Sequence, residues 1–205
     1  ASYLTLPFRS SSLEDGLIPA VEKGLAVTKR LGLLGASVTQ HPEFPELLNW
    51  LNNDRFDGIH LSVSSVRAAT VNAKMTKILG KRNCKSLTIA IESGSEKIRK
   101  LVNKKLSEEE ILMAAKYALD GGLKSLKLYG MVGLPLEEEE DIQATIDLLC
   151  SIKRKTHGIR LTLGVSTFVP KAHTPFQWYG VRPEARKRLK ILKKHLEPKG
   201  ITLRT

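Results

Sequence analysis

Polar residues that could contact a ligand gather where apolar segments of the sequence end. Glu92 directly follows the apolar segment 87–91, and Ser93, Gly94 and Ser95 come after it. A carboxylate in such a place can accept hydrogen bonds from two neighbouring ribose hydroxyls, as acidic residues do in dinucleotide-binding folds. It would also stabilise the start of a following helix through the helix dipole, by about 0.3–1 kcal/mol. From these residues alone, both roles stay open.

Other segment ends carry further candidates. Gly133 interrupts an apolar run, and a glycine lets a ligand approach the backbone closely, although a plain turn is the simpler explanation. His41 and His173 could move protons or contact a substrate, or be solvated loop residues. The chain contains no Gly-x-Ser-x-Gly elbow and no Walker-type phosphate loop, so it lacks the signatures of α/β-hydrolases and P-loop NTPases.

The two cysteines do not predict a metal site. Cys84 and Cys150 lie far apart, and neither belongs to a CxxC pair. Two thiolates cannot by themselves complete a Cys-ligated zinc or iron–sulfur site. Basic neighbours could activate Cys84, but an ordinary thiol at the start of a strand is the simpler interpretation. We therefore expect no metal ligand in this chain.

An alternation of short apolar strands and helices must position these residues. Strands are predicted at 33–38, 58–63, 87–91, 123–132, 159–169 and 201–203. Helices are predicted at 13–30, 45–52, 72–79, 96–102, 107–120, 137–155 and 183–196, the first of which could instead begin near Pro19. This order predicts an α/β fold whose parallel sheet is covered by helices, as a doubly wound sheet or a TIM-like barrel. Both folds place binding residues at the carboxyl ends of strands.

Length and composition narrow the class of protein. The chain has 205 residues, of which 41% are hydrophobic, and this predicts one folded domain rather than disorder. Barrel units would fill 1–180, and a basic helix with a last strand would fill 181–205. No apolar run approaches the roughly 20 residues of a membrane helix, and no secretory signal is visible. We expect a cytoplasmic protein without membrane contact.

Basic residues are in excess, with a net charge of +12, and they concentrate near the end of the chain. The basic residues of that segment are Arg182, Arg186, Lys187, Arg188, Lys190, Lys193, Lys194, Lys199 and Arg204. Such a surface could attract RNA or another polyanion through phosphate contacts. A solubilising outer helix face is the simpler explanation, and no RNP or KH signature is present.

Two motifs together make the chain resemble radical SAM enzymes. One is the run IESGSEKIR at 91–99, and the other is LKLYGMVGLPLE at 126–137. More narrowly, the chain is similar to the subgroup that includes methylthiotransferases, the Elongator catalytic subunit and cobalamin-binding radical SAM proteins. The run FVPKAHTPFQW at 168–178 is similar to the last core strand of the cobalamin-binding members. The resemblance covers about residues 33–178.

This resemblance implies a partial TIM-like (β/α)6 barrel of parallel strands that binds S-adenosylmethionine beside a [4Fe–4S] cluster. In that family the reduced cluster cleaves the cofactor to a 5′-deoxyadenosyl radical, which abstracts hydrogen from a substrate. The residues that match the ribose contact are Glu92 and Ser93. Those that match the adenine contacts are Met131, Val132, Gly133, Val169 and Pro170. Arg99 would bind the methionine carboxylate, because a guanidinium is a fixed fork of donors. The catalytic residues stay unknown.

The chain departs from the family in its cysteines. The family holds its cluster with three cysteines in a CxxxCxxC loop after the first strand, and no such loop occurs here. The opening segment 1–10 is similar to the stretch that follows that loop. We therefore expect a barrel that lacks its first strand, cluster ligands upstream of residue 1, and a fragment that is inactive alone. The exposed sheet edge would favour self-association.

Three functions stay open on the sequence. The first is a fragment of a radical SAM iron–sulfur oxidoreductase, with substrate and any need for cobalamin unspecified. The second is a non-catalytic α/β module that binds RNA or protein through its basic helix. The third is a metal-free TIM-type lyase or isomerase, for which Lys127 is the only obvious candidate on a strand.

Overall fold

Six parallel strands form the centre of the computed structural model, which describes residues 9–35 and 37–205. One ladder pairs β1 (Arg30–Leu33) with β2 (His60–Val63). A second ladder has the order β3 (Ser86–Glu92), β4 (Ser125–Val132), β5 (Arg160–Thr167) and β6 (Ile201–Arg204). A parallel bridge between Val66 and Ile89 links the end of the first ladder to the second, so the strands lie side by side in chain order.

Helices connect the strands, because parallel neighbours require crossover connections. They are α1 (Ile18–Leu25), α2 (Phe44–Leu51), α3 (Ala73–Lys81), α4 (Glu96–Leu101), α5 (Glu108–Asp120), α6 (Glu139–Lys155) and α7 (Glu184–Leu196). The predicted alternation of helices with parallel strands is confirmed, including the last short strand. Within the described ranges, no helix combines the length and hydropathy needed to cross a bilayer.

Side-chain alternation divides the sheet into two faces. On β4, Leu126 and Leu128 are fully buried in the core, whereas the intervening Lys127 and the following Tyr129 remain accessible. We call the face that carries Lys127 the open face. Its residues on the second ladder are Thr88, Ala90, Lys127, Tyr129, Met131, Thr162, Gly164, Ser166, Thr202 and Arg204.

The first helix and strand differ from the prediction. Helical structure begins at Leu13, as predicted, with a π-helical turn (Leu13–Leu17) that Ser12 caps by accepting a hydrogen bond from the Asp15 N–H. The helix α1 follows from Ile18, with Pro19 in its first turn, where a proline fits, and it ends at Leu25 rather than at residue 30. The strand β1 ends at Leu33, and Val38 begins a 3-10 turn where the sequence predicted more strand. Pairing with β2 sets the bounds of β1, and a run of apolar residues does not reveal that pairing. Ala36 and the expected post-loop stretch up to residue 8 lie outside the described residues.

Candidate functional site

The ends of β3, β4 and β5 bring the predicted site residues to one edge of the sheet. Glu92 pairs with Gly130, and Met131 pairs with Ser166. Val169 follows the end of β5 by two residues. The three motifs, which are far apart in the sequence, therefore become neighbours at the carboxyl edge, as the fold class predicts.

Glu92 ends β3 at an irregularity in the sheet. The pairing moves from Ala90 with Tyr129 directly to Glu92 with Gly130, so Ile91 is the extra residue of a β-bulge. Glu92 has a φ of 64°, in the left-handed region that non-glycine residues rarely occupy. Its side chain is 24% exposed. A strained, accessible carboxylate at a strand end is a common feature of functional sites.

Lys104 is the partner of this carboxylate. Its Nζ lies 2.8 Å from Glu92 Oε1, and both side chains are about three-quarters buried. No sequence motif indicated Lys104 as a site residue. The signal that could have found it is Asn103, which follows the short helix α4 with a φ of 53° and returns the chain toward the strand end.

A pocket of about 200 Å³ opens beside this ion pair. Its lining residues come from the ends of the first three strands and from the loop after α4: Ser37, Ser65, Val66, Arg67, Ala68, Ala69, Ala90, Lys104, Lys105 and Leu106. Three of them are cationic and none is acidic. The pocket can therefore receive a negatively charged group of a ligand, such as a carboxylate.

Ser93 and Arg99 lie inside the protein, behind the loop that follows Glu92. Ser93 is 3% exposed, and its Oγ accepts a hydrogen bond from the Ser95 N–H. Arg99 is 1% exposed and donates to the backbone oxygens of Ser93, Gly94 and Leu106. Burial lowers the pKa of Arg99. Their roles as ligand contacts stay predictions, and the structure gives both residues the different task of holding the loop.

The start of α6 fixes the same loop from the other side. Gly94 donates to Thr145 Oγ1, and Ser95 Oγ donates to Asp141 Oδ1 over 2.6 Å. Burial alone would raise the pKa of Asp141, but hydrogen bonds from Lys97, Ser95 and the Glu138 N–H hold it below its ordinary value. The loop after Glu92 is thus clamped between two helices.

The turn after β4 is anchored to α7. Gly133 has a φ of 82°, and its N–H donates to Glu137 Oε2 over 2.7 Å. Arg188 of α7 donates to the same carboxylate oxygen over 2.6 Å and to the Glu137 backbone oxygen. Burial raises the pKa of Glu137, opposed by the hydrogen bond from Gly133 and by Arg188.

The residues predicted along the adenine differ in accessibility. Met131 lies half-buried on the open face, whereas the Val132 side chain is 2% exposed and belongs to the core. A Cβ on Gly133 would lie 2.8 Å from Ala185 Cβ, so the close approach at this glycine comes from α7. Val169 is 59% exposed and Pro170 is half-buried, so both are accessible. Contact of these five residues with a ligand stays a prediction.

The remaining candidates are placed elsewhere. His41 Nε2 lies 2.9 Å from the Ser11 backbone oxygen, and exposed His173 follows β5. Cys84 is buried, and burial raises the pKa of its thiol, which agrees with an ordinary thiol. In the parts of the chain that the structure describes, no three His, Cys, Asp or Glu side chains come close enough to hold a metal ion. These residues therefore do not fit a [4Fe–4S] cluster.

Comparison with known proteins agrees with this architecture. The family model described as the Radical SAM superfamily matches residues 17–149. An uncharacterized protein of Methanocaldococcus jannaschii is 35% identical over 197 residues, which are 95% of this chain and 42% of that protein. A tRNA-2-methylthio-N(6)-dimethylallyladenosine synthase of Alkaliphilus oremlandii is 29% identical over 72% of this chain and 34% of its own length. The chain thus spans less than half the length of these relatives.

Two solved structures share the fold. The radical S-adenosylmethionine methyltransferase TsrM of Kitasatospora setae has a TM-score of 0.65, with 11% identity over 82% of this chain and 31% of TsrM. Coproporphyrinogen III oxidase HemN of Escherichia coli has a TM-score of 0.64, with 16% identity over 94% of this chain and 48% of HemN. These likenesses concern the fold alone, and they confirm the predicted partial TIM-like barrel.

Proposed function

Because the chain belongs to the radical SAM superfamily, a family of enzymes, we propose that its carboxyl edge binds S-adenosylmethionine. Glu92 would accept the ribose hydroxyls, and Met131, Val169 and Pro170 would line the adenine. The superfamily uses this cofactor together with a [4Fe–4S] cluster. When bound, the cofactor supplies a 5′-deoxyadenosyl radical that abstracts hydrogen from the substrate.

The observation that carries the proposal is the Glu92/Lys104 ion pair at the mouth of the pocket. A carboxylate offers two acceptor oxygens, and one of them is held by Lys104. Fixed in this way, Glu92 is oriented before a ligand arrives, which reduces the ordering cost of binding. The ammonium group of Lys104 has three donors, so it can also bind the methionine carboxylate. We therefore assign to Lys104 the role that the sequence predicted for Arg99.

The described residues bind and orient the cofactor but do not hold the cluster. We propose that cluster ligands are supplied from outside this chain, as the sequence resemblance implies, and that the chain alone is inactive. Oxidoreductase-like chemistry, a cytoplasmic location and cobalamin in a longer form of the protein stay predictions. TsrM is described with cobalamin and a [4Fe–4S] cluster, but its likeness to this chain concerns the fold.

The basic helix gives less support to the alternative of a nucleic-acid-binding module. Arg188 is 6% exposed and neutralises Glu137, and Lys187 pairs with Glu139. Part of the positive charge is therefore used within the protein. RNA binding by α7 stays a prediction, and a titration series in salt would test it, because phosphate contacts weaken steeply as salt rises.

Binding of S-adenosylhomocysteine tests the proposed cofactor site without requiring the cluster. We expect the wild-type chain to bind this analogue in isothermal titration calorimetry. Glu92→Gln should weaken it about tenfold or more, because a hydrogen bond to a charged group is worth about 1.5–3 kcal/mol. Lys104→Met should weaken it similarly.

Glu96→Gln is the matched control. Glu96 lies four residues further along and is exposed, and among the described residues it forms an ion pair only with Lys100. Its substitution should therefore leave the affinity unchanged. Absence of binding by the wild-type chain, or equal affinities for Glu92→Gln and Glu96→Gln, would contradict the proposed function.

A further inference from the structure

Resting on the proposed function, we propose that the open face of β4, β5 and β6 binds the substrate and that this substrate is an organic anion. Lys127 and Arg204 would bind its carboxylate or phosphate group, and the ring of Tyr129 would pack against its apolar part. The molecule modified at the carboxyl edge would thus belong to the class of organic anions.

Two rows of paired residues build this surface. The register places Thr88, Lys127, Thr162 and Thr202 in one row across β3 to β6. The next row toward the carboxyl edge consists of Ala90, Tyr129, Gly164 and Arg204. Paired residues of a parallel sheet point to the same face, and neighbouring strands lie about 4.8 Å apart. The first row therefore places threonines on both sides of Lys127, and the second places Tyr129 between Ala90 and Gly164, with Arg204 one strand further.

Within the described part of the chain, Lys127 is a partly buried cation without a counter-ion. It is less accessible than a surface lysine, and no carboxylate in residues 9–35 or 37–205 forms an ion pair with it or with Arg204. The rows of the open face on β3 to β6 contain no acidic residue, and Glu92 at the end of β3 already pairs with Lys104. Removing a charge from water is unfavourable unless an opposite charge compensates it. An anionic ligand would provide that compensation.

Tyr129 lies across Gly164 in a way that leaves room for a ligand. A Cβ on Gly164 would lie 2.7 Å from Tyr129 Cδ1 and Cε1, so only a glycine accommodates the ring there. The side of Tyr129 toward β3 faces Ala90, which also lines the pocket beside Glu92. Tyr129 is 49% exposed. The ring of Tyr129 thus lies between the proposed cofactor pocket and Arg204, and Lys127 lies two residues earlier on the same strand.

Small aromatic anions test this site with the chain as it exists. Benzoate and phenyl phosphate would be compared with neutral benzamide by ligand-detected NMR titration. We expect the anions to bind at least tenfold more tightly than benzamide, because charge-assisted hydrogen bonds are the stronger ones. Preference for benzoate would assign a carboxylate substrate, and preference for phenyl phosphate would assign a phosphorylated one. Equal affinity of all three probes, or binding of none, overturns the proposal.

Substitutions locate the binding. Lys127→Met should abolish the preference for anions, and Tyr129→Ala should weaken both aromatic anions. Lys124→Met removes the same charge from the exposed position just before β4, and Lys105→Met removes it from the pocket; both should leave the preference intact. If Lys127→Met binds like wild type while Lys105→Met does not, the anion site belongs to the pocket and the proposal is wrong.

S-adenosylhomocysteine separates this proposal from the one on which it rests. Lys127→Met should bind the analogue as the wild-type chain does. If the analogue binds but the anion preference does not depend on Lys127, the substrate proposal alone fails. If the anions bind through Lys127 but the analogue does not bind, the open face is an anion site and the proposed function fails.

Discussion

Several residues near the candidate site adopt the left-handed backbone conformation without being glycine, and two of them can be compared directly. Glu92 has a φ of 64° and Leu136 a φ of 58°. For an L-residue this conformation costs roughly 1–2 kcal/mol. At Glu92 this strained conformation occurs in a residue of the candidate site, whose carboxylate pairs with Lys104. Leu136, in contrast, is 63% exposed and makes no comparable contribution to the site.

We predict that Leu136→Gly stabilises the protein. Glycine removes the left-handed strain of roughly 1–2 kcal/mol but adds about 0.5–1 kcal/mol of unfolded-state entropy, so a net gain of about 0.5–1 kcal/mol is expected. Urea unfolding monitored by circular dichroism measures the difference. Met113→Gly, at a half-exposed position inside α5, should instead lose about 1 kcal/mol. Equal losses in both variants would show that Leu136 is not strained.

At the scale of residues, the sequence predicts which segments meet but not which side chains face the site. Glu92 lies at the expected strand end because a run of apolar residues stops there. The burial of Ser93 depends on the Ser95 N–H, and that of Arg99 on carbonyl oxygens of the loop and of Leu106. No local sequence pattern indicates these partners. The sequence does not indicate the role of Lys104, because its partner Glu92 lies twelve positions earlier. The two side chains come together only because the chain reverses its direction after α4.

At the scale of elements, the start of α6 determines the shape of the loop after β3. A Cβ on Gly94 would lie 2.2 Å from Thr145 Cα, so the loop backbone packs directly on the helix. Asp141 joins the two through Ser95 and Lys97. The first turn of α6 contains three acidic residues, whose charges interact favourably with the helix dipole. One of them, Asp141, also holds the neighbouring loop.

We predict that Asp141→Asn destabilises the protein by about 2 kcal/mol at pH 7, because hydrogen bonds to a buried charge are lost. The pKa of Asp141 is held below its ordinary value once the protein folds. Its contribution to stability is therefore complete above about pH 4, the ordinary value, and disappears as pH falls through the lower folded value. The difference between wild type and variant should shrink in that acidic range.

Unfolding in urea at pH 7 and at successively lower pH measures this difference. Both proteins keep Glu137, so its opposite shift in pKa cancels in the comparison. Asp147→Asn, an exposed change on the same helix, should have almost no effect. A difference between wild type and Asp141→Asn that stays constant with pH would contradict the assignment.

At the scale of the whole molecule, the two ladders differ in how well they are buried. The strands β4 and β5 have eight residues each, with partners on both sides. The strands β1 and β2 have four residues each, and β1 has no partner on its outer side within the described ranges. The alternation of apolar segments and helices predicts where the strands occur along the chain. The length of each strand, however, depends on its pairing partners elsewhere in the chain.

We predict that amide hydrogens of the first ladder exchange faster than those of β4 and β5. Local opening needs little energy where few apolar contacts are broken, and it approaches the global unfolding energy in a buried core. Hydrogen exchange with mass spectrometry, comparing peptides over 30–33 and 60–63 with peptides over 125–132 and 160–167, measures this difference. Equal protection would show that the two ladders open together. Association of copies through the β1 edge stays a prediction, which sedimentation would test.

The ion pair between Arg188 and Glu137 links α7 to the turn after β4, so these two parts of the barrel cannot be separated without a loss of stability. The family match ends at residue 149, ahead of α7, yet the carboxylate beside Gly133 has its counter-ion on that helix. Removing one partner of a buried ion pair costs about 3–5 kcal/mol, a large part of the stability of an ordinary domain. A gene rearrangement that exchanged the C-terminal segment would succeed only if the incoming segment brought an equivalent arginine. The helix and the turn that it neutralises therefore form one structural unit.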